Sequence, residues 1–269
     1  MDVLNAAILG VVQGLTEFLP VSSSGHVILV RAFFGWDLGR FGLPFDVACH
    51  VGTMLAVVVF FRADVARLVA AAPGALMGRD GEWERLGRLI IAGTIPIVIV
   101  GGLFADVIET RVRSPLVVAV TLTIGAIGLL AAERLGRKSR EARALGYGEA
   151  LLIGVAQAAA LAPGISRSGA TITMAMLLDV QRASAARFVF LMSLPAIVAA
   201  AVKEALDVAE IGAAGLPVTL LAVGLVTSAI VGYFTVKYFV RYLANHSLAV
   251  FAYYRFALAA ITVMWLLTR

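Results

Sequence analysis

The sequence predicts an all-α integral membrane protein made of two inverted-topology repeats, each a broken re-entrant helix pair followed by three transmembrane helices. Three observations predict it. Of 269 residues, 61% are hydrophobic and only 14% charged, and the mean hydropathy of +0.96 lies far outside the range of globular chains. Six stretches nearly free of charge, 45–61, 89–105, 114–132, 188–202, 211–236 and 248–268, each approach the length that crosses a hydrocarbon core of about 30 Å. Two further apolar segments, 3–30 and 150–178, are interrupted at Pro20 and at Pro163 and Gly164. At a shift of 144 residues they match one another: Gly10 with Gly154, Gln13 with Gln157, Ser22 with Ser166, Ser24 with Ser168, Gly25 with Gly169.

The duplication divides one membrane domain, 1–269, into halves of about 1–140 and 145–269. Each half contributes an odd number of crossings, so the second copy enters the bilayer upside down. Inverted repeats with broken helices hold their special residues near the bilayer midplane. Irregular backbone at that depth requires protein or a wet cavity around it, so the two broken segments are expected to meet tip to tip from opposite faces.

Loop charge sets the orientation. With both termini outside, the inner side collects about fourteen basic residues: Arg62, Arg67, Arg79, Arg85, Arg88, five within 134–143, and Arg182, Arg187, Lys237 and Arg241. The outer side has about six: Arg31, Arg40, Arg111, Arg113, Lys203 and Arg269. The net charge of +5 is therefore read as membrane orientation, with no nucleic acid as partner. Met1 onward reads as mature protein without a signal peptide, and the lone Cys49 offers no disulfide framework. Within 62–88, AAPGALMG is expected to form a short interfacial helix.

The first broken segment carries QGLTEFLPVSSSGH. Gln13 and Glu17, four apart, share a helix face, while Gly10 and Gly14 let a neighbouring helix come close. An acid at membrane depth is costly unless paired or hydrated, which makes Glu17 a functional candidate; the bland alternative is a cap or a headgroup contact. After Pro20, Ser22, Ser23, Ser24 and Gly25 open a second helix, whose free N–H groups and dipole favour an anion. His26 follows and handles protons near neutral pH. The second segment reads PGISRSGAT, where Ser166, Ser168, Gly169 and Thr171 flank Arg167, a permanent cation suited to phosphate oxygens. A purely structural Arg167–Glu17 pair is the competing reading. Together the tips form an oxyanion site, with phosphate or pyrophosphate the simplest occupant.

Other polar residues receive plainer readings. His50 and Cys49, in FDVACH, are assigned to packing or a helix–helix hydrogen bond. Glu133, Glu149 and His246 lie near span ends and read as interfacial, and Arg255, within YYRFAL, needs a partner that the sequence does not identify.

GVVQGLTEFLPVSSSGH and PGISRSGAT resemble the two signature regions of the bacterial undecaprenyl-pyrophosphate phosphatases of the bacitracin-resistance (BacA) type, and the similarity extends along essentially the whole chain. That resemblance implies hydrolysis of a C55 isoprenoid lipid diphosphate to its monophosphate, which recycles the carrier for cell-wall synthesis. It implies a multi-pass protein of the bacterial inner (plasma) membrane, in contact with membrane lipids; a homodimer is left open. Glu17, Ser22, Ser23, His26 and Arg167 match family positions implicated in activity. Where the family carries Glu or Gln before the second acid, this chain has Gln13, leaving one carboxylate in that motif. The family's use of Mg²⁺ or Ca²⁺ implies a divalent cation, with Glu17 and Gln13 as oxygen ligands and most of its coordination arriving with substrate. Two routes are open: attack by Ser23 or Ser22, activated by His26 or Glu17, or attack by water directly. The rival reading is a lipid-phosphate flippase or anion transporter built on the same broken helices.

Overall fold

Apolar runs become helices here because a bilayer leaves backbone groups no other partner than each other. In a computed structural model, residues 1–36, 41–211 and 217–268 are described; Arg40, Arg269 and 212–216, the start of the fifth expected span, lie outside them. Eleven α-helices are described: α1 Asp2–Thr16, α2 Ser23–Phe34, α3 Leu43–Phe60, α4 Arg62–Leu76, α5 Glu82–Arg111, α6 Pro115–Leu135, α7 Tyr147–Ala159, α8 Arg167–Leu177, α9 Arg182–Ile211, α10 Val218–Leu243 and α11 Ala249–Leu267. Six of these, α3, α5, α6, α9, α10 and α11, contain segments long and apolar enough to span a membrane. Leu55, Val59, Ile91, Ile95, Ile124 and Ile127 point out of the bundle, as acyl-chain contact requires and water would not permit. The protein is an all-α, multi-pass membrane protein.

Over half of the α9 span is buried, against a third or less of the other five, so α9 runs through the centre. Its Phe188, Leu191 and Met192 join the largest apolar cluster, with Leu89, Leu129, Ile153 and Ile172 from four other helices. Arg187 of α9 also donates through Nε and Nη2 to Asp64 of α4, at 2.8 and 2.6 Å. The helix expected in AAPGALMG is longer than that motif, since α4 begins at Arg62 and holds Pro73 inside its last turn.

The pairs α1–α2 and α7–α8 are broken where proline interrupts the amide ladder. Each second helix starts from a serine with positive φ, Ser22 at 74° and Ser166 at 73°. Their hydroxyls cap in the same way, accepting from Gly25 N at 3.3 Å and Gly169 N at 3.1 Å. Such a backbone costs a non-glycine residue about 1–2 kcal/mol, and it recurs at the two positions 144 residues apart. Gly164 has φ +95°, and a Cβ there would come within 2.8 Å of Val118 O; glycine lets this turn lie against α6. Each broken pair leans on a span from the other half of the chain, α1 on α10 and α7 on α5.

Candidate active site

Three sets of hydrogen bonds hold the two hairpin tips to each other and to the neighbouring helices. Ser22 Oγ accepts from Gly164 N at 3.1 Å, and Ser168 Oγ donates to Leu19 O at 3.0 Å. Thr121 Oγ1 of α6 donates to Pro163 O at 2.5 Å. The third set belongs to Arg255, whose partners are backbone carbonyls. From α11 it donates to Pro20 O at 3.2 Å in the first tip and to Gly164 O and Ile165 O at 2.9 and 3.0 Å in the second. It also reaches Leu122 O and Thr121 O of α6, at 3.1 and 3.3 Å. Full burial of this guanidinium is tolerable because five carbonyl dipoles surround it. It thus ties the carbonyl-rich breaks of both hairpins to one helix.

With the tips fixed, Glu17 becomes the hub of a buried polar cluster. Its Oε2 accepts from Ser23 Oγ at 2.6 Å and from Gln13 Nε2 at 2.9 Å, while Arg167 Nη2 donates to Oε1. His50 of α3 approaches the same group: its Nδ1 lies 3.0 Å from Gln13 Nε2 and 3.4 Å from Glu17 Oε2. Glu17, Gln13, Ser23, Ser24, Ser166 and Arg167 line a cavity of about 260 Å³. Leu43, Val47, Ile97, Leu161 and Ile197 also line it. The cavity therefore presents charge and hydroxyls beside a surface suited to hydrocarbon.

The remaining predicted site residues do not line this cavity. Ser22 is buried as a cap. His26 is held between Ser22 O and Tyr254 OH, both 2.7 Å from its ring nitrogens, and stacks on Tyr254 at 5.6 Å. The Gly25 and Gly169 N–H groups, offered to an anion in the sequence reading, are engaged by Ser22 and Ser166. Ser168 and Thr171 border a void of about 10 Å³ on another side of Glu17 and Arg167, and Thr171 Oγ1 donates back to Arg167 O at 2.7 Å.

Sequence reasoning missed four polar or charged residues of the cavity lining: His50, Asp46, Arg113 and Gln157. His50 does make the helix–helix hydrogen bond expected of it, but within the cavity. The available signal was the Asp46–His50 spacing of four in an apolar span, which puts both on one face. Gln157 was visible as the counterpart of Gln13. Two residues assigned to the interface are also more engaged than expected. Glu133 accepts from Arg182 Nε at 2.8 Å and from Leu248 N at 2.7 Å, and Glu149 accepts from Arg140 Nη1 at 2.7 Å.

Among the described residues no three His, Cys, Asp or Glu side chains gather as a metal cage. Both Glu17 oxygens already accept from Arg167, Ser23 and Gln13, and Gln13 presents its amide nitrogen to Glu17. A resident divalent cation at Glu17 and Gln13 does not fit this donor set.

Comparison with known proteins bears on the same chain. The model of the family described as "Bacitracin resistance protein BacA" matches residues 6–261. An undecaprenyl-diphosphatase of Rubrobacter xylanophilus is 50% identical over 270 residues, covering 99% of each chain. Relatives with the same name from Moorella thermoacetica and Pelobacter propionicus are each 43% identical, over 268 and 274 residues. The first covers 99% of both chains, and the second 100% of this chain and 98% of its own.

Proposed function

We infer that this chain, which belongs to the bacitracin resistance protein BacA family, hydrolyses undecaprenyl diphosphate to undecaprenyl phosphate and inorganic phosphate. The observation that carries the reading is the Ser23–Glu17–Arg167 contact at a cavity lined by both polar and apolar side chains. A lipid diphosphate has the same two-sided character. The relatives' shared name is that of a hydrolase and lends nothing to the transporter reading. The inner bacterial membrane, where such a lipid carrier resides, is the proposed location.

The proposed chemistry follows from who touches whom. Arg167 and Ser166 receive phosphate oxygens, and the diphosphate draws Arg167 partly away from Glu17. Ser23 Oγ gives its proton to Glu17 as it attacks the terminal phosphorus in line with the bridging oxygen. The new Oγ–P bond forms while the bridging P–O bond breaks, and the leaving lipid monophosphate needs no proton at neutral pH. Water then attacks the phosphoserine while the protonated Glu17 returns its proton to the departing Ser23 Oγ, and dihydrogen phosphate leaves with Glu17 ionised again. Ser22 is a poorer nucleophile, because its hydroxyl is occupied by two N–H donors. His26 supports this geometry through the Ser22 carbonyl. A divalent cation, carried in on the diphosphate, supplies charge neutralisation when bound.

The test is phosphate release by purified protein from farnesyl and undecaprenyl diphosphate, with inorganic pyrophosphate as the control. Turnover of the lipid substrates and much slower turnover of pyrophosphate is the expected result. No release from either lipid would refute the assignment.

A further inference from the structure

A second group of charges, two of which line the catalytic cavity, is not used by the mechanism above. Asp46, in the first turn of α3, is shared by two guanidiniums: Arg31 from the last turn of α2, and Arg113 from the link between α5 and α6. Two cations on one carboxylate leave, among the described residues, a local surplus of one positive charge. Arg31 is 3% exposed and, with its terminal nitrogens on Asp46, has an Nε buried without an acceptor among the described residues. An unmatched donor inside a protein costs about 1–3 kcal/mol, so Arg31 is kept at this position at a cost that its pair with Asp46 offsets.

The cluster stands between two spaces. Arg113 and Leu43 line both the 260 Å³ catalytic cavity and an adjoining one of about 450 Å³, whose wall also includes Arg31, Trp36 and Pro115. Arg113 is thus in reach of an anion in either space. We propose that Arg31 and Arg113, held by Asp46 between these cavities, form a second oxyanion subsite that takes inorganic phosphate or a lipid phosphate headgroup. Arriving oxygens replace Asp46 on Arg113, whose forked donors suit phosphate, and Asp46 remains on Arg31. The choice of phosphate as the anion rests on the phosphatase reading; the surplus charge and the shared wall do not.

The experiment is a calorimetric titration of inorganic phosphate into the full-length chain in phosphatidylcholine nanodiscs. It is done in an Arg167→Ala background, so that the catalytic cation does not contribute. Arg113→Gln is expected to weaken binding about tenfold or more, Arg113→Lys less. Asp46→Asn is expected to tighten it about threefold or more by removing the competing carboxylate, a gain that a misfolded chain does not produce. In discs containing phosphatidylglycerol, loss of the Arg113-dependent phosphate binding identifies the lipid headgroup as occupant, and its persistence identifies free phosphate. Binding that is undetectable in phosphatidylcholine, or unchanged by both Arg113→Gln and Asp46→Asn, overturns the subsite. Farnesyl diphosphate turnover by the wild-type chain is measured separately; its absence counts against the phosphatase reading alone.

Discussion

Glu17 and Arg167, 150 positions apart, form an ion pair across the junction of the two broken hairpins, and Ser23 donates to the same carboxylate from the far side. The pair holds the acid close to a hydroxyl and keeps the guanidinium in the cavity wall until a stronger anion arrives.

Glu17→Gln keeps the size of the side chain but removes the base, and it should lower the rate of phosphate release by about 100- to 10,000-fold. Arg167→Ala should do the same, through loss of the phosphate-binding fork. Both proteins should remain folded in detergent, as judged by size-exclusion chromatography; near-normal turnover by either would remove the site.

Ser23 and Ser22 are adjacent but differ in what their hydroxyls do. Ser23→Ala should abolish the labelled phosphoenzyme seen by rapid quench, together with turnover. Ser22→Ala loses a cap and should lower stability by about 0.5–2 kcal/mol while still forming the labelled species. A phosphoenzyme that survives Ser23→Ala would transfer the nucleophile to another group or to water.

His50 reaches Glu17 mainly through Gln13. His50→Gln, which retains a polar partner for the amide, should stay within about threefold of wild-type kcat/KM. His50→Leu should fall about tenfold, the effect of losing one hydrogen bond of about 1–1.5 kcal/mol. Equal rates for the two variants would show that the Gln13 contact is idle.

Because the donor set builds no closed cation site, EDTA should stop or slow turnover while leaving the thermal midpoint of the substrate-free protein unchanged. A chelator-induced drop of several degrees would reveal a resident metal.

Much of this molecule could be read from residue order. Uncharged runs marked the spans, since only apolar side chains tolerate acyl chains, and Pro20 and Pro163 marked the breaks, since proline has no amide hydrogen to give. The matching residues of 3–30 and 150–178 placed Glu17 and Arg167 in one expected neighbourhood. What stayed hidden depends on partners distant in sequence. Asp46 and His50 show their role only when α3 is set against α1 and α2. His26 looked free, but Tyr254, 228 positions later, holds its ring. Arg255 was conspicuous yet unassignable, because its partners are peptide carbonyls, which every residue carries and no side-chain pattern reveals.

Arg255 also bears on the order in which the chain is made. Synthesis runs from the amino end, so both hairpins precede α11, which carries the residue that ties their carbonyls to one helix. A nascent chain halted before that point carries every group of the Glu17 cluster but no clasp. Until α11 packs against α6, the two tips are joined by the Ser22–Gly164 and Ser168–Leu19 bonds without that tie.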